Sequence, residues 1–418
     1  MKLLLKSATI IDETSKFHHQ KKDILIENGA ITQIATSIKK PTGYKEIVLE
    51  NLHVSQGWFD TSVCFGEPGF EERETIQNGL ETAAKSGFTA VAVNPNTNPV
   101  TDSKAAIEFI KNKAAKTTTQ LYPIGAFTKN SEGKDLAELF DMQNSGAIAF
   151  GDYNKSVSNA NLLKIGLLYT QNFGGLVISF PQDNSIALEG LVNEEKNSTK
   201  YGLKGIPSLA EELQIARDLY ILEYTGGKLH IPTISTKKAV KLVKEAKKKG
   251  LDVTCSVAAH HLILNDDEIS SFDANTKVLP PLRTQKDTKA LIKGVKEGVI
   301  DIITSDHNPI DIEHKKLEYE KAKFGTIGLE SFFGAVNQVL DIDTIVKCLT
   351  TNPLKIFNIP IHSITVGNKA NITLFNPKEE YVFNKDHISS TSKNSVFLDK
   401  KLKGKVYGVI ANNKYEIN

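Results

Sequence analysis

The first ~50 residues place their apolar positions in short runs broken by turn residues, a pattern that predicts strands. The runs are LLLKSATIID, DILIENGAITQIAT and EIVLENLHVS, and Asn28-Gly29 inside the second has the composition of a two-residue hairpin turn, where both positions need positive φ. From Gln56 the pattern changes. Short β-rich runs now alternate with helical or loop stretches, as βα units do when they build a parallel sheet. Eight such runs can be read: VSQGWFDTSV, FTAVAVN, TQLYPIGAF, GAIAFGD, GLVISF, KLHIPTI, LDVTCSV and VIDIITSD. Eight repeats over about 300 residues suit a closed (β/α)8 barrel better than an open sheet. After NPLKIFNI the chain returns to strand and turn chemistry in VGNKANITLFNP and in NSVFLDKKLKGKVYGVIANNKYEIN, so the two ends are expected to build one β domain together. The predicted organisation is an N-terminal part of a small β-sandwich domain over 1–53, an α/β barrel over 54–358, and the C-terminal part of the β domain over 359–418.

Composition narrows the function classes. The 418 residues carry 51 basic and 49 acidic side chains, formal charge +2, with 40% hydrophobic residues. Nothing here resembles the one-sided basic footprint that holds a phosphate backbone, so nucleic acid is not an expected partner. The Lys-rich run Lys241–Gly250 reads as a solvated helix face closed by its C-terminal glycine, because lysines favour a helix's last turn. Only Arg73, Arg217 and Arg283 present a guanidinium fork; every other basic residue is a lysine. Cys64, Cys255 and Cys348 are odd in number, widely spaced and free of any CxxC pair, which is neither a disulfide framework nor a zinc knuckle. No stretch approaches the roughly 20 apolar residues of a membrane span, and the opening MKLLLKSATIID has too short an apolar run for a secretory signal. A cytoplasmic protein without a membrane partner is expected.

In a (β/α)8 barrel the reactive groups stand at the C-terminal ends of the strands. Here those ends read Asp60-Thr61-Ser62-Val63-Cys64-Phe65-Gly66, Asn94-Pro95-Asn96-Thr97-Asn98-Pro99, Phe150-Gly151-Asp152-Tyr153, Ser179-Phe180-Pro181, His230-Ile231-Pro232-Thr233 and Thr304-Ser305-Asp306-His307-Asn308-Pro309. Together with EPGFEERETI, PNTNPVTD, IPSLAEELQIARDL, ISTKKAV, AAHHLILNDDEI, LPPLRT, SDHNP, FGTIGLES, SKNSVF and KLKGKVYGVI, these segments make the chain similar to the dihydroorotases of the amidohydrolase superfamily over essentially its whole length.

The resemblance implies a metal-dependent hydrolase barrel in which two zinc ions activate a water against the amide carbon of dihydroorotate. Such chemistry needs imidazoles and carboxylates about 2.0–2.2 Å from each zinc. In the family these come from a His-x-His on strand one, a bridging carboxylate after strand four, single histidines after strands five and six, and an aspartate after strand eight. This chain departs from that pattern nearly everywhere: the His-x-His positions hold Ser62 and Cys64, the later histidines are Phe180 and Thr233, and the bridging region holds Asp152 and Tyr153. Asp306 matches the catalytic aspartate. Among substrate contacts, the arginine that would pair with the orotate carboxylate aligns with Gly66, an asparagine with Leu279 and a histidine with Ile310, while Asn96 alone carries over.

The remaining candidates read as structural. Cys64 has no base beside it in the sequence and reads as a small buried strand residue. His260 and His261, taken as adjacent residues on an extended segment, should point to opposite faces. His230 reads as a packed histidine, Asn96-Thr97-Asn98-Pro99 as turn chemistry, and Asp306 and His307 as survivors held by hydrogen bonds at the barrel mouth.

The chain is therefore expected to be a pseudo-enzyme: no cofactor, Asp306 and Asn96 vestigial, a homo-oligomer, and, by analogy with non-catalytic bacterial members of the family, a partner of the aspartate transcarbamoylase catalytic chain. The alternative is an active cyclic amidohydrolase holding zinc in a reduced site made from Asp306 with Asp152, Cys64 or His307. A third possibility, the non-catalytic dihydropyrimidinase-like tetramers, fits the segments EPGFEERETI and PNTNP less well.

Overall fold

The computed structural model describes all 418 residues, and the eight β-rich runs form a closed ring. Trp58–Val63 pairs in parallel with Phe88–Val93, which pairs with Gln120–Pro123. The fourth run is reduced to Phe150, bridged to Gly125 on one side and Val177 on the other. Leu176–Ile178, Lys228–Ile231, Val253–Ala258 and Ile302–Thr304 continue the parallel order. A bridge from Val63 to His307 then closes the ring. Phe88–Val93 is buried at every position, as expected of a strand covered on both faces.

A helix follows each strand: Ile76–Lys85, Lys104–Lys113, Leu139–Ser145, Ala160–Thr170, Ser208–Thr225, Lys237–Lys248, Gln285–Lys296 and Ile342–Leu349. Their apolar faces and the outer faces of the strands make one large core around Trp58, Phe88, Phe332 and Val257. Inside the ring, Phe59, Ala90, Ala92, Ile124, Ile178 and Ile302 pack with Phe357. The Lys-rich helix behaves as its pattern predicts. Thr236 caps it, Ala239, Val243 and Ala246 face inward, and Gly250 takes φ +82° just beyond it.

Both termini build one sheet, ordered Lys414–Ile417, Lys401–Ala411, Ile372–Val382, His53–Gln56, Lys2–Ile11, Lys21–Glu27, Ala30–Ala35, with Lys45–Ile47 also paired to the Lys2–Ile11 strand. Asn28 and Gly29 form the expected hairpin turn, with φ of +49° and +79°. The join between sheet and barrel is Gly57. A Cβ there would lie 2.0 Å from Thr89 Oγ1, so the chain passes from one domain into the other only without a side chain.

The seam that closes the barrel is polar. Buried Asp60 on the first strand accepts hydrogen bonds from the Thr304 hydroxyl, from the Ser305 N–H at 3.0 Å and from the Ser62 N–H at 3.1 Å. Without it the Ser62 and Ser305 N–H groups would be orphaned in the interior, where an unmet group costs about 1–3 kcal/mol, while the Thr304 hydroxyl would keep only the Ser62 carbonyl at 3.3 Å. Asp60→Ala is therefore expected to lower stability by about 2–4 kcal/mol in urea unfolding, with Asp60→Asn, which keeps an acceptor of the same shape, clearly milder.

Candidate functional site

The C-terminal mouth of the barrel gathers most of the residues singled out in the sequence. Ser62, Cys64, Phe180, Thr233 and Asp306 are each less than a tenth exposed. Ser62 Oγ and the Tyr153 hydroxyl both approach Asp306 Oδ1, at 3.4 and 3.5 Å. The Asn94 amide donates to Ser62 Oγ at 3.0 Å and reaches Cys64 Sγ at 3.7 Å. Asp306 is thus lidded by a phenol and a hydroxyl. Burial, and then the nearby Asp60 carboxylate, push its pKa up to about 7.

Of the two residues in the bridging region, Tyr153 faces the mouth. Asp152 turns away: it accepts from the N–H groups of Phe127 and Thr128 at 3.0 and 3.1 Å and from the Thr128 hydroxyl at 2.6 Å, so it orders the loop after the third strand. Cys64 is buried, and burial pushes its thiol up to about 12, with Asp306 adding to the shift. The thiol beside a carboxylate, a phenol and two amides has no imidazolium, lysine or arginine near it to hold it as the thiolate.

His307 is tied to structure instead. The Gly328 N–H donates to its Nδ1 at 3.1 Å, which places the ring's single proton on Nε2, and that N–H faces Glu74 Oε2 at 2.8 Å with both side chains fully buried. Its carbonyl accepts from the Cys64 N–H at 2.7 Å. His230 lies between two hydroxyls, Thr254 Oγ1 at 2.9 Å and Ser256 Oγ at 3.1 Å, and burial lowers its pKa to about 3.

Contrary to the sequence-based expectation, His260 and His261 do not sit on an extended segment: the strand ends at Ala258, and Ala259–Ile263 wraps into a helical turn whose two histidines are both buried. Both rings therefore enter the interior together, 4.4 Å apart, with His261 Nε2 on the Pro280 carbonyl at 3.0 Å.

The positions that the family pattern gives to substrate hold other side chains here. Gly66 carries more than a missing arginine: its N–H donates to the Glu74 carbonyl, its carbonyl accepts from the Phe70 N–H, and a Cβ on it would lie 1.9 Å from Phe70 O. The loop has closed over the place where a side chain would begin. Ile310 is buried, and Leu279 packs against the small cluster of Ala187, Ile206 and Ala210. Asn96 stays near Cys64 with its Oδ1 buried and unpartnered. No arginine is free to take over. Arg73 stacks on Phe70 and faces Asp311 at 3.4 Å, Arg217 binds Asp218 and the Val157 and Ser158 carbonyls, and Arg283 is buried against Asn193, Ile206 and Ser235.

Strained backbone gathers at the same mouth. Tyr153, Thr233 and Asp306 all take positive φ, at +56°, +46° and +49°. For a β-branched threonine this conformation is costly, and strain of this kind clusters at functional sites. Three ligand-bearing positions of the family pattern hold such a backbone over side chains that offer a hydroxyl, a phenol and one carboxylate. With hydroxyls at Ser62 and Thr233, an apolar ring at Phe180 and no imidazole at any of the family's histidine positions, this donor set does not fit a binuclear zinc centre, which needs imidazoles and carboxylates around each ion. The one cluster of three potential donors lies outside the mouth, at His18, His19 and Asp343. There His18 Nδ1 accepts the Asp12 N–H, which leaves the proton on Nε2, the atom that faces Asp343.

Glu74, Asp60 and Asn94 were not singled out by sequence reasoning. Glu74 is one of four glutamates between Glu67 and Glu74, and only the closure of the loop onto His307 distinguishes it from the rest.

Comparison with known proteins places this geometry in a family. The Dihydro-orotase-like family pattern matches residues 53–239, and the Amidohydrolase family pattern matches residues 187–414. The chain is 38% identical to the dihydroorotase of Syntrophus aciditrophicus over 413 residues, covering 97% of both proteins. It is 40% identical to the dihydroorotase of Caldicellulosiruptor saccharolyticus over 420 residues, covering 99% of this chain and 97% of that one. Among solved structures, the L-hydantoinase (dihydropyrimidinase) of Arthrobacter aurescens superposes with a TM-score of 0.87 at 20% identity, over 100% of this chain and 97% of the other, a likeness of fold alone. The barrel, the terminal β domain and the match to curated relatives along nearly its full length establish that the chain belongs to the dihydroorotase-like amidohydrolases.

Proposed function

We propose that this protein is a non-catalytic dihydroorotase homologue of pyrimidine biosynthesis that acts as a structural partner of the aspartate transcarbamoylase catalytic chain. One observation carries the reading: Asp306, which matches the family's catalytic aspartate, is buried under Tyr153 and Ser62, with two hydroxyls, a thiol and a phenyl ring where the family pattern has imidazoles. A metal-bound hydroxide is what an aspartate in that position would serve, and none of these groups lowers the pKa of water. The closed loop at Gly66 supports the same reading from the substrate's side, since a carboxylate-binding fork cannot be restored there by substitution alone. The partner is argued by analogy with family members that have lost catalysis: a barrel maintained in detail around an altered mouth is suited to binding through its outer surface.

Elemental analysis beside a dihydroorotate cyclisation and hydrolysis assay tests the loss of chemistry. The expected result is far less than one zinc per chain and no turnover, with or without added zinc; one or more ions per chain with chelator-sensitive turnover contradicts it and favours a reduced metal site at Asp306. A thiol-reactive dye supplies an independent check. All three cysteines are buried with thiols pushed up by burial, so none should be modified in the native protein and all three should react on unfolding. Fast labelling of Cys64 in the folded protein would point to an open, functional mouth. Gly66→Ala is expected to lower stability by about 1–3 kcal/mol through overpacking against Phe70, read as a shift in the urea midpoint. An unshifted midpoint would mean that the loop is not closed over this position.

A further inference from the structure

The end of the barrel opposite the mouth is not sealed. Between the N-terminal ends of the strands and the β domain lies a cavity of about 390 Å³, within the roughly 300–1,000 Å³ of small-molecule sites. Phe59, Leu354 and Ile359 give it an apolar floor. Five amide side chains line the rest of it: Asn28, Gln120, Asn371, Asn412 and Asn413.

Two hairpin turns bring these amides together. Asn28-Gly29 and Asn412-Asn413 all take positive φ, and they meet so closely that a Cβ on Gly29 would lie 3.2 Å from that of Asn413. Asn371 reaches the same cavity beside the join of the two domains, where a Cβ on Gly57 would meet its Oδ1 at 2.5 Å. Asn28 and Asn413 have a reason to be asparagine in their turns. Gln120 and Asn371 have none, since one opens the third barrel strand and the other directly precedes the strand Ile372–Val382. Asn412 is engaged by the Thr117 and Thr118 carbonyls, at 3.4 and 3.0 Å, whereas the other four amides keep donor and acceptor free.

Charge and ring chemistry complete the lining. No carboxylate borders the cavity, although the chain has 49 acidic residues. Lys369 stands exposed at its edge, and burial followed by the Lys369 charge lowers the pKa of His362, which places the two within electrostatic reach of each other. Tyr122, half-buried, forms part of the wall and meets Phe59 in a T-shaped contact at 5.7 Å. Each kind of group suits one part of a ligand. Free amides match the edge of a nucleobase, which also offers both donors and acceptors. A phenol ring is a surface on which a base stacks, and a lysine with no carboxylate opposite it favours an anion.

We propose that this cavity binds a nucleoside monophosphate, with the base among the amides beside Tyr122 and the phosphate at Lys369 and His362. Barrel chemistry takes place at the C-terminal ends of the strands, so a site at the N-terminal face binds its ligand without transforming it. Its walls come from both domains, and an occupant therefore bridges them across Gly57. The site does not depend on whether the mouth is active.

Isothermal titration of the full chain with AMP, GMP, CMP and UMP in turn tests this. At least one of them should bind once per chain at submillimolar concentration. Ribose 5-phosphate and inorganic phosphate, which carry no base, should bind at least about tenfold more weakly. Lys369→Glu and Gln120→Ala, both at exposed positions, should each weaken the nucleotide by about tenfold or more and leave the melting midpoint of the ligand-free protein unchanged. Failure of all four nucleotides to bind at millimolar concentration, equal binding of ribose 5-phosphate, or full affinity in both variants would overturn the proposal.

Discussion

The seam between the first and last barrel strands is the contact on which the rest of the structure depends. A ring of eight parallel strands has no edge once closed, and here closure occurs through buried polar groups: Asp60 takes the donors of Ser62, Thr304 and Ser305, and the Cys64 N–H meets the His307 carbonyl. His307 then reaches Glu74 in the loop after strand one, and Glu74 accepts from the Thr391 N–H of the C-terminal segment. One chain of hydrogen bonds therefore joins the barrel seam, the rebuilt substrate loop and the tail. In a low-dielectric interior such a network is stable only when every member is satisfied, which gives these residues a structural role independent of any chemistry at the mouth.

That network also separates the positions where this chain matches the family pattern from those where it departs from it. Asp306 and His307 lie in the segment that closes the ring, and Tyr153, Thr233 and Asp306 each take positive φ at the mouth. Groups pointing into the mouth carry no such duty. Histidines there can give way to serine, phenylalanine or threonine without opening the barrel, provided that the new side chains fill space and leave no buried donor unmet. The proposed scaffold role uses the outside of this barrel, which such changes leave untouched.

The fold was legible in the sequence because it rests on periodicity. The eight strand runs, the Asn28-Gly29 turn and the Thr236-to-Gly250 helix all announce themselves by local patterns that tertiary contacts reinforce. The fourth strand is shorter than its run suggested, since only Phe150 bridges its neighbours. At the mouth, alignment with the family located the residues but not their partners. Asp152 and Tyr153 are adjacent in sequence and equally placed for the bridging role, and only the fold turns one toward Thr128 and the other toward Asp306. The same holds for His260 and His261, where a helical turn replaced an expected extended segment, and for Gly66, whose closed loop no composition rule reveals.

We propose that this barrel is retained as a scaffold independent of metal chemistry. The most direct test is sedimentation of the purified chain mixed with the aspartate transcarbamoylase catalytic chain of the same organism, in excess chelator, with Asp306→Asn run in parallel. The expected result is a stable complex that forms equally well with chelator present and with the variant. Separate sedimentation of the two proteins, or a complex that needs zinc and an intact Asp306, would contradict it.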